Sequence, residues 1–326
     1  MVATRPIIPE RYRQRIVRAL VLSNMLADRV HPERGQFVRD QVQALAQLDG
    51  MQMESYEFEP GVGGLAHAAA ELRRRYRGQR LDVVHAHFGL TAWPSLLVQA
   101  RLHGLTLHGT DVSHPRTRQL TRAVLSRMDL IGAASEPLIE SIPSSTARRR
   151  ALVLPCGVNT QRFEPIDRQQ ARGALGLDPA GTYLLFAADP VRRAKRYDRA
   201  LALAGNTPLL SLGGVAPGQV PMWINAANAV LVPSEREGFG LAVLEALACD
   251  VPVLATPVGI HTSALANLPG TLCAPFELER WRAALEPHLR EQDPRIAGRS
   301  RAEAYSARAM AERLAQTWST LLAASG

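Results

Sequence analysis

The chain has 326 residues, 46% apolar and 21% charged, with a formal net charge of +8; this length suits two domains of about 150 residues, and the composition is that of a soluble globular protein. Its apolar runs are strand-sized, so none could span a bilayer, and the N-terminal stretch has no apolar core of signal-peptide length. Aromatics are only 5% and the arginines are scattered apart from clusters at 73–75 and 148–150, which argues against nucleic acid as a partner and leaves an anionic ligand or peripheral contact with an anionic membrane.

Residues 18–22 (RALVL) read as the first strand. In HPERGQFVRDQVQAL (31–45) and just beyond, Phe37, Val38, Val42, Leu45 and Leu48 fall on one face of a helix that starts after Gly35. Further apolar runs follow at 82–88 (DVVHAHF), 105–109 (LTLHG), 130–135 (LIGAAS) and 151–155 (ALVLP). A stretch at 155–170 combines Pro155, Gly157 and Pro165 with polar residues and reads as a break. The rhythm resumes at 182–188 (TYLLFAA), 208–214 (PLLSLGG), 229–234 (AVLVPS) and 251–259 (VPVLATPVG), and more weakly at 271–276 (TLCAPF). Met310, Leu314, Trp318 and Leu322 recur every four residues and give the last helix one apolar face.

The runs are nearly continuous in apolar residues, as in strands covered by helices on both faces. Their alternation with helical segments implies an α/β protein with two Rossmann-like, doubly wound parallel sheets facing a cleft. The expected division is 1–160, 161–300, and a final helix over 301–326 that crosses back to the first domain. Ligands in such sheets sit at the carboxyl ends of the strands. Cys156, Cys249 and Cys273 lie far apart with no metal spacing and read as small apolar residues of a reducing cytoplasm, where the protein is expected either free or at the inner face of the membrane.

The segment SEREGFGLAVLE (234–245) carries the chemistry. Gly238 and Gly240 allow a tight turn close to a ligand, and the first N–H groups of the following helix, from Leu241, are unpaired at the positive end of its dipole. Glu237 sits on the loop rim. Glu245 lies one turn into an otherwise apolar helix, where a carboxylate is costly unless something donates to it; neighbouring sugar hydroxyls are natural donors. Thirty-eight basic residues less one lysine leave 37 arginines, and the single lysine is Lys195.

Residues 233–259 (PSEREGFGLAVLEALACDVPVLATPVG) resemble the donor-binding signature of glycosyltransferase family 4, retaining enzymes of the GT-B fold. The resemblance implies that Glu237 contacts donor-sugar hydroxyls, Glu245 the nucleotide ribose, and the backbone of Phe239, Gly240 and Leu241 the diphosphate. It places Lys195, with Arg192 or Arg193, on the diphosphate, although Asp189-Pro190 stands where that loop usually begins with Gly-Arg. After Gly259 the family's usual acidic residue is missing, and His261 or Thr262 is expected to hold the ribose side of the donor in a different way. In the first half, His108 of H-G-T-D resembles a histidine near the reacting carbon, and Gly35 the loop glycine near donor phosphate and acceptor. His87 is expected on the acceptor side, with His85 as buried structure. Asp111 is expected on the acceptor side too, or else holding nearby backbone N–H groups. Arg39 either faces an anionic acceptor or, as the favoured reading, is an exposed helix arginine.

No D-x-D occurs in the sequence, so Lys195, an arginine and the helix N-terminus are expected to do the work of a metal ion. The expected activity is transfer of a sugar from a nucleotide-diphosphate sugar, with UDP or GDP as the nucleotide, to a hydroxyl-bearing acceptor, without a cofactor. Retention follows from the resemblance. A nucleotide-sugar epimerase, a phosphorylase and a non-catalytic sugar or nucleotide binder are the alternatives.

Overall fold

The computed structural model describes residues 16–324; the N-terminal stretch read above for a leader lies outside them. Two parallel sheets organise the chain. The first contains β1 (Val17–Ser23), β2 (Met51–Glu57), β3 (Arg80–His87), β4 (Gln99–Leu107), β5 (Leu130–Ala133) and β6 (Leu152–Val153), in the order β2-β1-β3-β4-β5-β6. The second contains β7 (Leu184–Phe186), β8 (Leu209–Ser211), β9 (Ala229–Val232), β10 (Val253–Ala255) and β11 (Leu272–Cys273), in the order β11-β10-β9-β7-β8. The central strands are built mainly from Val, Leu, Ile and Ala and are almost wholly buried, which both-face coverage requires.

Helices that cover the sheets include α1 (Gln36–Ala46), α2 (Val62–Arg75), α3 (Tyr197–Ala204), α4 (Leu241–Ala248), α5 (Leu278–Arg290) and α6 (Ala307–Ala324). Helix α6 crosses back. Its Met310, Leu314, Trp318 and Leu322 are buried with Val38 and Leu45 of α1 and with Val83, Leu102 and Leu130 of the first sheet. Each such side chain withdrawn from water contributes about 1.5–3 kcal/mol. The chain passes between the sheets twice, and the two passages run side by side: Val158 N–H donates to Tyr305 O (2.9 Å) and Ala307 N–H to Val158 O (2.7 Å). Arg162 grips Asp40 of α1 through two hydrogen bonds of 2.8 and 2.7 Å, tying the first passage to the first sheet.

Strand β2 escaped the sequence reading. It is an edge strand, MQMESYE, half-buried on both faces, so its apolar residues alternate with polar ones instead of forming a run. Helix α2, rich in alanine and arginine, was likewise not singled out. Strand β4 begins at Gln99, well before the apolar run at 105–109, because its first residues lie at the rim of the sheet.

Candidate active site

Each sheet has one place where the strand order reverses, and in sheets of this kind ligands sit there, at the carboxyl ends of the strands. In the second sheet this point lies between β7 and β9, which are direct neighbours. The loop after β7 carries Lys195 and the loop after β9 carries Glu237. The fold therefore brings together two residues 42 positions apart. A backbone hydrogen bond from Glu235 N–H to Ala194 O (2.9 Å) zips the two loops.

Lys195 Nζ lies 2.7 Å from Oε1 and 2.6 Å from Oε2 of Glu237, and both side chains are largely buried. The Ser234 hydroxyl donates to Glu237 Oε1 at 2.7 Å. Burial pushes the Glu237 carboxyl up, but the Lys195 charge, the Lys195 hydrogen bonds and Ser234 outweigh it, so the carboxyl ends below its ordinary value. The Glu237 carboxylate thus stays ionised where burial alone would favour its neutral form.

Helix α4 opens beside this pair. Gly240 caps it with φ +105°, a left-handed conformation, and a side chain there would collide with the His261 ring. The N–H groups of Phe239, Gly240 and Leu241 donate to nothing among the described residues, while the Phe239 ring is buried in the core. His261 is completely buried; its Nδ1 bonds Thr256 O at 2.9 Å and its Nε2 has no partner among the described residues. It packs beneath the glycine loop and does not present itself to a ribose. Glu245 is half-buried in α4. Burial pushes its carboxyl up to about 7, with Arg162 pulling it down and Asp40 pushing it up. Arg192 and Arg193 are exposed on the Lys195 loop and form no ion pair among the described residues. Arg196, next in the chain, is held by Asp198 and Glu235.

The facing wall comes from the ends of β3 and β4. Strand register sets Ser23, His87 and Thr106 side by side. His87 is fully buried, which corrects the expectation that its ring opens on the acceptor side. Gln41 Nε2 lies 3.1 Å from His87 Nε2, and His87 Nδ1 lies 2.9 Å from His108 Nε2. His108 is half-buried between Phe37 (ring centroids 4.9 Å apart) and Phe88 (4.7 Å). Burial lowers His85 and His108 to about 3 and His87 well below its ordinary value. Asp111 is also buried: it accepts the backbone N–H groups of His108 (3.2 Å) and Gly109 (2.8 Å), so the acceptor-side placement fails and the backbone-holding alternative stands. Gly35, at φ +67°, caps α1 against Met25. Arg39 is not simply exposed; it is paired with Glu57 at 2.9 Å.

The two walls touch. Gly238 packs against the His108 carbonyl so closely that any side chain there would collide with it, and the Ser135 hydroxyl donates to Gly238 O at 3.4 Å. The sequence reading missed Gln41, Asp40, Arg162 and Ser234. For Gln41 a signal existed: it stands four residues after Phe37 and four before Leu45, on the apolar stripe of α1 where a polar residue needs a partner.

Two doubly wound sheets that meet at the carboxyl ends of their strands define the GT-B class. The structure matches sucrose-phosphate synthase from Thermosynechococcus elongatus with a TM-score of 0.70 at 18% identity, over 94% of this chain and 100% of that one. It matches Anabaena HepE, solved in complex with UDP and glucose, at 0.66 and 15%, over 93% and 99%. The family model for glycosyltransferase family 4 matches residues 10–162, and that for glycosyl transferases group 1 matches residues 180–307. Curated relatives include the D-inositol 3-phosphate glycosyltransferase of Mycobacterium avium, 31% identical over 77% of this chain and 71% of that one. That of Actinosynnema mirum is 29% identical over 69% and 70%. Across such relatives the chain spans 58% to 71% of their length. The chain belongs to glycosyltransferase family 4.

Proposed function

We propose that this chain transfers a sugar from a nucleotide-diphosphate sugar, with UDP or GDP as the nucleotide, to a hydroxyl acceptor, with retained configuration and without a metal ion. The observation that carries the reading is the Lys195–Glu237 pair at the switch point beside the open N–H groups of α4. Without ligand each charge satisfies the other. A diphosphate offers Lys195 a second anion, and sugar hydroxyls offer Glu237 new donors, so the donor fits between groups already ionised for it. Arg192 or Arg193 adds a further cation from the same loop. Glu245 accepts from the ribose.

In the transfer step the bond from the anomeric carbon to the diphosphate oxygen breaks and the bond to the acceptor oxygen forms on the same face. The acceptor proton passes to the departing phosphate oxygen. Lys195 and the α4 dipole stabilise the charge that develops there. The UDP-bearing HepE structure supports a nucleotide sugar, and the names of the curated relatives support a phosphorylated polyol as one acceptor class. No helix among the described residues is long and apolar enough to cross a membrane, and peripheral contact is part of the proposal.

The test is a thermal-shift panel of UDP, GDP, ADP and dTDP with their sugars. A ligand at about 100 times its Kd adds about 2.7 kcal/mol. UDP or GDP should raise the midpoint of the wild type, and the sugar-bearing form should lose its extra shift in Glu237→Ala. If no nucleotide raises the midpoint, the reading fails. Release of nucleotide only when acceptor is present separates transfer from epimerisation.

A further inference from the structure

The histidines of the first sheet form a directed hydrogen-bond chain that the transfer reading leaves unexplained. Gln41 is buried on α1, and its amide nitrogen faces His87 Nε2 at 3.1 Å. The His87 and His108 rings are nearly coplanar, at 20°, and meet edge to edge through the 2.9 Å contact between His87 Nδ1 and His108 Nε2. Both rings are uncharged in this setting, so each carries one proton.

The direction then follows step by step. An amide nitrogen can only donate, so His87 Nε2 accepts and the His87 proton sits on Nδ1. That proton is donated to His108 Nε2, so the His108 proton sits on its own Nδ1. This atom has no partner among the described residues and is not among the enclosed unpartnered ones. Two residues away the pattern is reversed. The Trp318 indole N–H, on α6, donates to His85 Nδ1 at 3.4 Å, so His85 carries its proton on Nε2 and donates to the Thr106 hydroxyl at 2.8 Å.

We propose that Gln41 is a positioning residue which, through His87, locks His108 with its proton on Nδ1, so that the first lobe offers the donor sugar an uncharged N–H donor opposite the acceptor-only carboxylate of Glu237. A sugar hydroxyl between the lobes then donates a hydrogen bond to Glu237 and accepts one from the His108 N–H. An imidazolium there would oppose the positive charge that grows on the sugar ring in the transition state. The purpose assigned to the lock rests on the transfer reading; the lock itself does not.

The experiment uses the full chain labelled with 15N-histidine and long-range proton–nitrogen NMR spectra, which show which ring nitrogen bears the proton. The wild type should show Nδ1–H at His87 and His108 and Nε2–H at His85, an internal reference in the same spectrum. Gln41→Leu and His87→Phe should release His108 into a mixture of tautomers or the opposite one. With UDP-glucose as probe, Gln41→Leu should lower kcat about tenfold, the worth of one hydrogen bond, with KM little changed. A merely structural glutamine would shift Tm and leave the His108 tautomer alone. Nε2–H at His108 in the wild type, or an unchanged His108 tautomer in a folded Gln41→Leu, overturns the proposal. The wild-type spectrum decides the matter if a variant does not fold. Absence of turnover with UDP-glucose bears on the donor assignment alone, since the spectrum reports the lock directly.

Discussion

The two walls of the crevice bury ionisable groups to a similar degree and reach opposite electrical outcomes. At the ends of β3 and β4, three histidines have only neutral hydrogen-bond partners among the described residues, namely Thr106, Gln41, Trp318 and one another, and burial holds them uncharged. At the ends of β7 and β9, Glu237 has Lys195 as an ion-pair partner and remains ionised. Burial alone decides nothing; a buried group keeps its charge only when an opposite charge replaces the lost water. The arrangement suits a reaction in which positive charge grows on the sugar and negative charge on the leaving group, with a neutral wall and a charged wall facing each other.

The largest expected effect comes from breaking the charged wall. Lys195→Met removes the cation and should lower turnover by roughly 100- to 1,000-fold, the usual cost of losing a group that stabilises developing charge. It should also make Glu237 resemble the histidines. Burial, the largest influence on that carboxyl, would then act unopposed by Lys195 and raise its pKa. Turnover retained at the wild-type rate would remove Lys195 from the diphosphate.

The neutral wall is tested by acid. The folded-state values of the buried histidines lie below the ordinary 6.5, so the unfolded chain binds the extra protons. Their contribution is present above pH 6.5 and is lost as pH falls toward the folded values, at about 1.4 kcal/mol per pH unit for each histidine. Urea melts between pH 6.5 and 4 should therefore show a shallower slope for His87→Phe than for the wild type, by about that amount per unit. Equal slopes would mean that His87 is already solvated.

A smaller effect concerns Glu245, which belongs to neither extreme. Its carboxyl is pushed up to about 7 by burial, with Arg162 as partial compensation. If it accepts from both ribose hydroxyls as the carboxylate, UDP affinity should fall as pH drops through 7, by up to tenfold per unit. Glu245→Gln should flatten the profile. A wild-type profile that is already flat would separate Glu245 from the ribose.

Much of this was legible in the residues. The apolar runs at 18–22, 82–88, 182–188 and 229–234 became central strands because residues buried on both faces must be apolar throughout. The strand–glycine–helix pattern around Gly238 and Gly240 fixed where an anion can meet open N–H groups, since that follows from local backbone geometry. The four-residue spacing of Met310, Leu314, Trp318 and Leu322 marked the helix that crosses back. The edge strand β2 was hidden because half-burial leaves alternation in place of a run.

The sequence by itself determined the elements, the glycine loop and the identity of the ionisable groups, because periodicity and backbone chemistry are local. Only the tertiary structure decided which of those groups stay charged. It set Lys195 against Glu237 across 42 residues, sealed His87 behind His108, and turned Asp111 toward backbone N–H groups. The physical reason is that ionisation and proton position depend on which partner fills the space that water leaves. Strand order and register choose that partner, and spacing along the chain does not.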